Sequence, residues 1–175
     1  VKLQITPTNR EIQLAENDII VSKTDLTGRI TYANRAFMRI ANFSERELLN
    51  QQHNIIRHPD MPRGAFRLLW DTLKNGQEFF AYVKNMTSEG DYYWVFANIT
   101  PDQDSDGKVV GYFSVRRKPK ASAIQAIVPI YQQMLDVERK AGPADAPLAS
   151  IRFLQDILGR QGTTYDRFIL GLQSV

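Results

Sequence analysis

FFAYVKNMTSEGDYYWVFANITPDQDSDGKVVGYFSVRR, residues 79–117, decides the fold. It contains three β-rich runs: Phe79 to Met86, Tyr92 to Thr100 and Val109 to Arg116. The segments TSEGD (87–91) and DSDGK (104–108) separate them. Each carries a glycine among small polar residues, the chemistry of a tight turn between antiparallel strands. Alternation along the middle run puts Tyr93, Val95, Ala97 and Ile99 on one face. Trp94, Phe96, Asn98 and Thr100 fall on the other. Both faces are rich in apolar residues, so both need cover. Asn98 belongs to the face away from Val95, beneath a cap or a partner.

Upstream, DIIVSKTDLTGRITYAN (18–34) gives two further β-rich runs, Ile19 to Ser22 and Ile30 to Ala33. The Asp and Gly of DLTGR join them as a hairpin. Asn34 then caps a short helix through Phe37 and Ile40. Ser44 followed by Glu47 is a capping box. MPRGAFRLLWDTLKNG (61–76) reads as a strong helix, with Phe66, Leu69, Trp70 and Leu73 at helical spacing. Asp60 is placed to cap it, Pro62 suits its first turn and Gly76 stops it. The order is two strands, short helices, then three strands. An α+β fold follows, with one five-stranded antiparallel sheet and the short helices on one face.

Residues 1–18 read as a leader or cap, and 19–118 as the sheet domain. SAIQAIVPIYQQMLDVERK (122–140) sets Ile124, Ile127, Tyr131, Met134 and Glu138 in a near-heptad series. It predicts a connecting helix within 119–140, with Pro129 kinking it or marking its start. The series is too short for an isolated coiled coil. It must pack on its own sheet, on the helices of 151–175 or on a second subunit, with Trp94, Phe96 and Tyr112 as the receiving surface. AGPADAPLAS (141–150) has the composition of a linker. Residues 151–175 give two short helices broken between Gly159 and Thr164.

Composition narrows the function. At 175 residues, 43% hydrophobic and 23% charged, the chain has enough apolar mass for one domain and an appendage. The net charge is only +3, with acids interleaved among the bases, which argues against nucleic acid. Without cysteine there is no disulfide, no thiolate metal site and no cysteinyl adduct. No apolar run approaches the ~18 residues of a membrane span, and no signal-peptide pattern is present. A cytoplasmic location is the expectation. No nucleophile–His–acid order and no His-x-x-x-His spacing points to an enzyme or a metal site.

One loop concentrates chemistry. HNIIRHPDMP (53–62) packs both histidines of the chain with an arginine, an aspartate and two prolines. The prolines restrict the backbone. Arg57 and His58 precede a helix N-terminus, and a guanidinium beside such a terminus is a phosphate site. The plainer reading makes Asp60 a cap, Arg57 its ion-pair partner and His58 a loop closure. Asn85, near the end of FFAYV, offers both a donor and an acceptor. Its plainer reading is a turn residue.

HNIIRHPDMP, with Trp70, LKNG (73–76), VKN (83–85) and GDYYWVFAN (90–98), resembles the flavin-binding PAS domain of bacterial aerotaxis receptors. The resemblance covers residues 19–118. It implies a PAS fold holding FAD noncovalently, with Arg57, His58 and Asp60 helping to bind it. Asn85 would contact the ring edge, Trp70 and Phe66 would wall the ring, and Asn34 and His53 would line the pocket. NMTSEG (85–90) also resembles the ring-contacting motif of light-sensing flavin PAS domains. Val95 replaces their second asparagine and the reactive cysteine is missing, so redox sensing is expected over light sensing. Phe79 stands where the aerotaxis relatives often carry a larger aromatic. The resemblance further implies a chemotaxis-type signalling domain or kinase complex as partner, in the same full-length chain or in trans, with a homodimer possible. Two alternatives stay open: a haem-binding PAS gas sensor using His53 or His58, and a cofactor-free PAS module for dimerisation.

Overall fold

The computed structural model describes residues 5–174; the first four residues of the expected leader and the last residue of the C-terminal segment lie outside them. The N-terminal hairpin forms from β1 (Ile19–Asp25) and β2 (Ile30–Ala33). Gly28 closes its turn at φ 82°, where a side chain would be strained. The three-strand stretch folds as read, into β3 (Phe79–Met86), β4 (Tyr92–Gln103) and β5 (Val109–Arg117). The strands join in the order β2-β1-β5-β4-β3, all antiparallel. The first and last strands of the chain's sheet region therefore meet at its centre, and β2 and β3 are its edges.

Helices α1 (Arg35–Ala41), α2 (Glu45–Leu48) and α3 (Arg63–Lys74) follow the hairpin, with a 3₁₀ turn at His53–Ile56. The local signals act as expected in α1 and α2. The Asn34 side chain accepts from the Phe37 amide, and Ser44 and Glu47 form a reciprocal capping box. At α3 the expectation fails. Asp60 is two residues ahead of the N-cap position, which Pro62 occupies without a side-chain bond to the helix. The cap comes from far along the chain. The buried carboxylate of Glu138 accepts from the Arg63 amide at 3.0 Å, the Gly64 amide at 2.8 Å and the Ser150 hydroxyl at 2.6 Å.

Glu138 belongs to α4 (Ala121–Arg160), whose helical backbone is broken only at Gly142, φ 79°. Residues 143–150 are helical, so the linker expected at 141–150 is a kink. Pro143 stands just past the break, where a missing N–H costs nothing. Pro147 would orphan the Pro143 carbonyl, and the Arg63 guanidinium takes that carbonyl at 2.9 Å. Gly64 lets the helices approach closely: a Cβ there would meet Ser150 Oγ at 2.1 Å. Pro129 leaves the helix unbroken. The final helix is α5 (Tyr165–Ser174).

The near-heptad face of α4 packs on its own sheet. Ile127, Tyr131 and Met134 are buried with Tyr82 and Phe96, and Tyr131 stacks on Trp94 at 6.4 Å. Edge strand β3 is covered rather than left open, which removes a template for aggregation. Tyr131 donates to the Tyr82 carbonyl at 2.8 Å and Tyr165 to the Phe80 carbonyl at 2.9 Å. Asn98 lies on this outer side and donates to Glu78 at 3.1 Å. Trp94 and Phe96 receive the helix as expected. Tyr112 does not: it lies on the opposite face, edge-on to Trp70 at 5.3 Å. No helix among the described residues is long and apolar enough to cross a membrane.

Candidate functional site

Between α3 and the inner face of the sheet lies a cavity of about 190 Å³. Its apolar wall comes from Phe66, Leu69, Trp70 and Leu73 on α3 and from Val83, Ala97 and Ile99 on the sheet. The helical spacing that identified α3 and the alternation that identified β4 both aim these side chains inward. Tyr112 adds an aromatic. At the rim, Gln52 and Asn54 are exposed, and Arg57 is half-buried with its guanidinium 3.6 Å over the Phe66 ring. Such stacking holds a cation while leaving its donors in plane for an anion. Burial pushes the Arg57 pKa down to about 10, and the Glu138 carboxylate works against that fall. Arg57 stays charged at neutral pH.

Asn85 is 4% exposed and lines the cavity from β3, with its backbone bridged to that of Arg57. Further in, Arg116 of β5 is 2% exposed. Its Nη2 donates to Ser22 Oγ at 2.6 Å, and its Nη1 is 3.4 Å from His53 Nε2. A guanidinium only donates, so Nε2 is the acceptor and the His53 proton belongs on Nδ1. His53 stacks on Phe37 at 5.8 Å. Burial first, and Arg116 second, push its pKa down to about 3, so it is neutral in the folded protein. Burial also lowers Arg116 to about 10, which leaves it cationic, and raises the Tyr93 hydroxyl.

Five of the expected site residues therefore meet on one cavity: His53, Arg57, Phe66, Trp70 and Asn85. Three do not reach it. Asn34 is spent on structure: its Oδ1 accepts from the Val21 and Phe37 amides, and its Nδ2 donates to the Ile19 carbonyl. His58 is buried edge-on to Tyr92, and its Nδ1 accepts from the Asp60 amide at 3.1 Å. Burial, then Lys84, lowers its pKa. Asp60 is exposed and pairs with Lys84 at 2.6 Å. The helix-terminus phosphate site also fails as read, because Glu138 already fills the α3 amides. Sequence reasoning missed Ser22, Tyr112 and Arg116. A strand alternation carried through β5 groups Tyr112, Ser114 and Arg116, but nothing local says which face is inward.

The donor set fits a flat heteroaromatic ligand with polar edges. Aromatic and aliphatic walls enclose room for one planar ring system, with an amide at one side and a cation deep inside. Haem fits less well. His53 is the cavity's only histidine, and the cation 3.4 Å from its Nε2 opposes a metal there.

Residues 30–116 match the family described as the PAS fold. The chain contains a PAS domain. It is 40% identical over 127 residues to the aerotaxis receptor of Escherichia coli (strain K12), a match spanning 73% of this chain and 25% of that protein. A nitrogen fixation regulatory protein of Klebsiella pneumoniae is 32% identical over 99 residues, 57% of this chain and 20% of that protein. This PAS chain thus spans a quarter or less of the length of these relatives. Among solved structures, a light-oxygen-voltage domain studied with a flavin analogue aligns over 66% of this chain and 86% of its own, with a TM-score of 0.56 at 20% identity. That likeness speaks for the fold alone.

Proposed function

We propose that this PAS domain binds FAD noncovalently in the α3–sheet cavity and reports its redox state to a signalling output. The observation that carries the proposal is the cavity itself, with an aromatic wall from Phe66 and Trp70, the Asn85 amide and the buried Arg116 cation. The similarity to an aerotaxis receptor supports it. A bound flavin supplies reversible electron transfer coupled to protonation of its ring nitrogens. The ring would occupy the cavity. The phosphates would lie beyond the rim, where Arg57 is the charged donor.

Asn85 is the reading element. Its amide presents Oδ1 as acceptor or Nδ2 as donor, and half a turn exchanges them. When a ring atom changes from acceptor to donor, the amide must turn or leave a buried bond unmade. A mismatch of that kind costs on the order of 1–3 kcal/mol, enough to shift a two-state equilibrium roughly tenfold or more. Asn85 lies on β3, whose carbonyls hold α4 and α5 through Tyr131 and Tyr165. A shift in β3 therefore reaches those helices without a loop between. The output would be a chemotaxis-type signalling domain or kinase complex, in the same full-length chain or in trans. Hydrogen exchange on FAD-loaded protein tests this. Reduction is expected to change protection around Tyr131 more than in α1. Equal protection in both states would reduce the domain to a flavin binder.

A further inference from the structure

Arg116 is a buried charge without a counter-charge. The surface arginines Arg10, Arg39, Arg67 and Arg139 each meet a carboxylate. The arginine that most needs one, at 2% exposure, forms no ion pair among the described residues. Its contacts are a serine hydroxyl, a neutral imidazole and the Phe37 ring at 4.4 Å. Its Nε has no hydrogen-bond partner. Taking a guanidinium out of water is costly unless an anion or strong acceptors receive it. The protein itself supplies too few. Arg116 lines the cavity.

We infer that Arg116, oriented by Ser22 and His53, is an anion-accepting pole of the cavity, and that its occupant turns an acceptor-rich, negatively polarised ring edge toward it. Under the flavin reading, on which the identity of the occupant rests, this is the pyrimidine edge with its carbonyl oxygens and ring nitrogen. Ser22 and His53 are positioning residues. Ser22 fixes Nη2, and a neutral His53 accepts from Nη1 without adding a second cation. The pole makes Arg116 a determinant of ligand affinity rather than of folding.

The test separates those two roles. Arg116→Met keeps the length and apolar stem and removes the charge. Two quantities are measured on the whole chain: the melting temperature of the apoprotein, and the FAD dissociation constant by flavin fluorescence. The apoprotein is expected to melt at the same temperature or higher, while FAD binds at least about tenfold more weakly. Arg116→Gln, which keeps a donor for Ser22, is expected to lose affinity similarly and guards against a misfolded methionine variant. FAD affinity within twofold of the parent in either folded variant overturns the pole. So does a melting temperature that falls together with affinity, which would make Arg116 structural. If the parent chain binds no FAD, the flavin reading fails by itself. The pole is then read with 8-anilinonaphthalene-1-sulfonate, whose rings and sulfonate match its chemistry. At least about tenfold weaker binding to Arg116→Met upholds the pole, and equal binding overturns it.

Discussion

Glu138 and Arg116 are both buried and both charged, and they differ in what surrounds them. The Glu138 carboxylate collects two helix amides and a hydroxyl. The Arg116 guanidinium keeps a bare Nε beside a cavity. A buried charge whose bonds are complete belongs to the architecture, and here it ties α4 to the N-terminus of α3. One whose bonds are incomplete marks a place where something else is received. The distinction is energetic, since an unmade buried bond costs more than a made one gains.

Five substitutions and a change of pH sharpen or break that contrast. The largest effect is expected at Glu138. Glu138→Ala leaves the Arg63 and Gly64 amides and Ser150 without a partner, and urea unfolding should show a loss of about 3 kcal/mol. A loss below about 1 kcal/mol would mean that water or another side chain replaces the cap.

Acid comes next, because His53 is neutral only when folded. Its pKa lies at about 3 against an ordinary 6.5, so the unfolded chain binds the extra proton. The stability this gives is complete above pH 6.5 and declines as pH falls toward 3. From pH 6.5 to about 5 the apoprotein should lose about 1.5 kcal/mol through this group. His58 is lowered too and adds in the same direction. Urea curves at both pH values for His53→Gln should lack the His53 share. An unchanged pH slope would place the sensitivity at His58.

At the rim, Arg57→Ala should weaken FAD binding about tenfold, the loss of one charged contact of about 1.4 kcal/mol. Asp60→Ala should leave affinity within about twofold, since its carboxylate points to Lys84 outside the cavity. The reverse ranking would take Arg57 out of the phosphate site. Among the stability effects the smallest is expected at Tyr131→Phe, which leaves the Tyr82 carbonyl on the β3 edge unpaired. About 1 kcal/mol of stability should go, with FAD affinity unchanged.

The sheet was readable because its signals are local. Gly90 and Gly107 sit at positive φ in the turns that TSEGD and DSDGK announced. Asn34 and Ser44 cap the helices that begin beside them. The α3 cap was unreadable for the opposite reason: its acceptor lies 75 residues from Arg63 in sequence. The prolines that made 141–150 look like a linker are accommodated by a contact, Arg63 to Pro143, that no local pattern encodes. Half the site was legible where helical spacing aimed Phe66 and Trp70, and at Arg57 and Asn85 through the family resemblance of the separate stretches that hold them. Arg116 was not. It lies in a strand with apolar residues on both faces, next to the exposed Arg117, and only the register with Ala97 and Ile20 turns it inward.

The most direct measurement is the absorbance spectrum of the purified chain, incubated with FAD and freed of unbound cofactor by gel filtration, before and after anaerobic reduction with dithionite. Flavin bands in the blue and near-ultraviolet should travel with the protein and bleach on reduction, without a cysteinyl adduct under blue light. A protein that emerges colourless after FAD loading, or one that carries a sharp haem Soret band, would contradict the account.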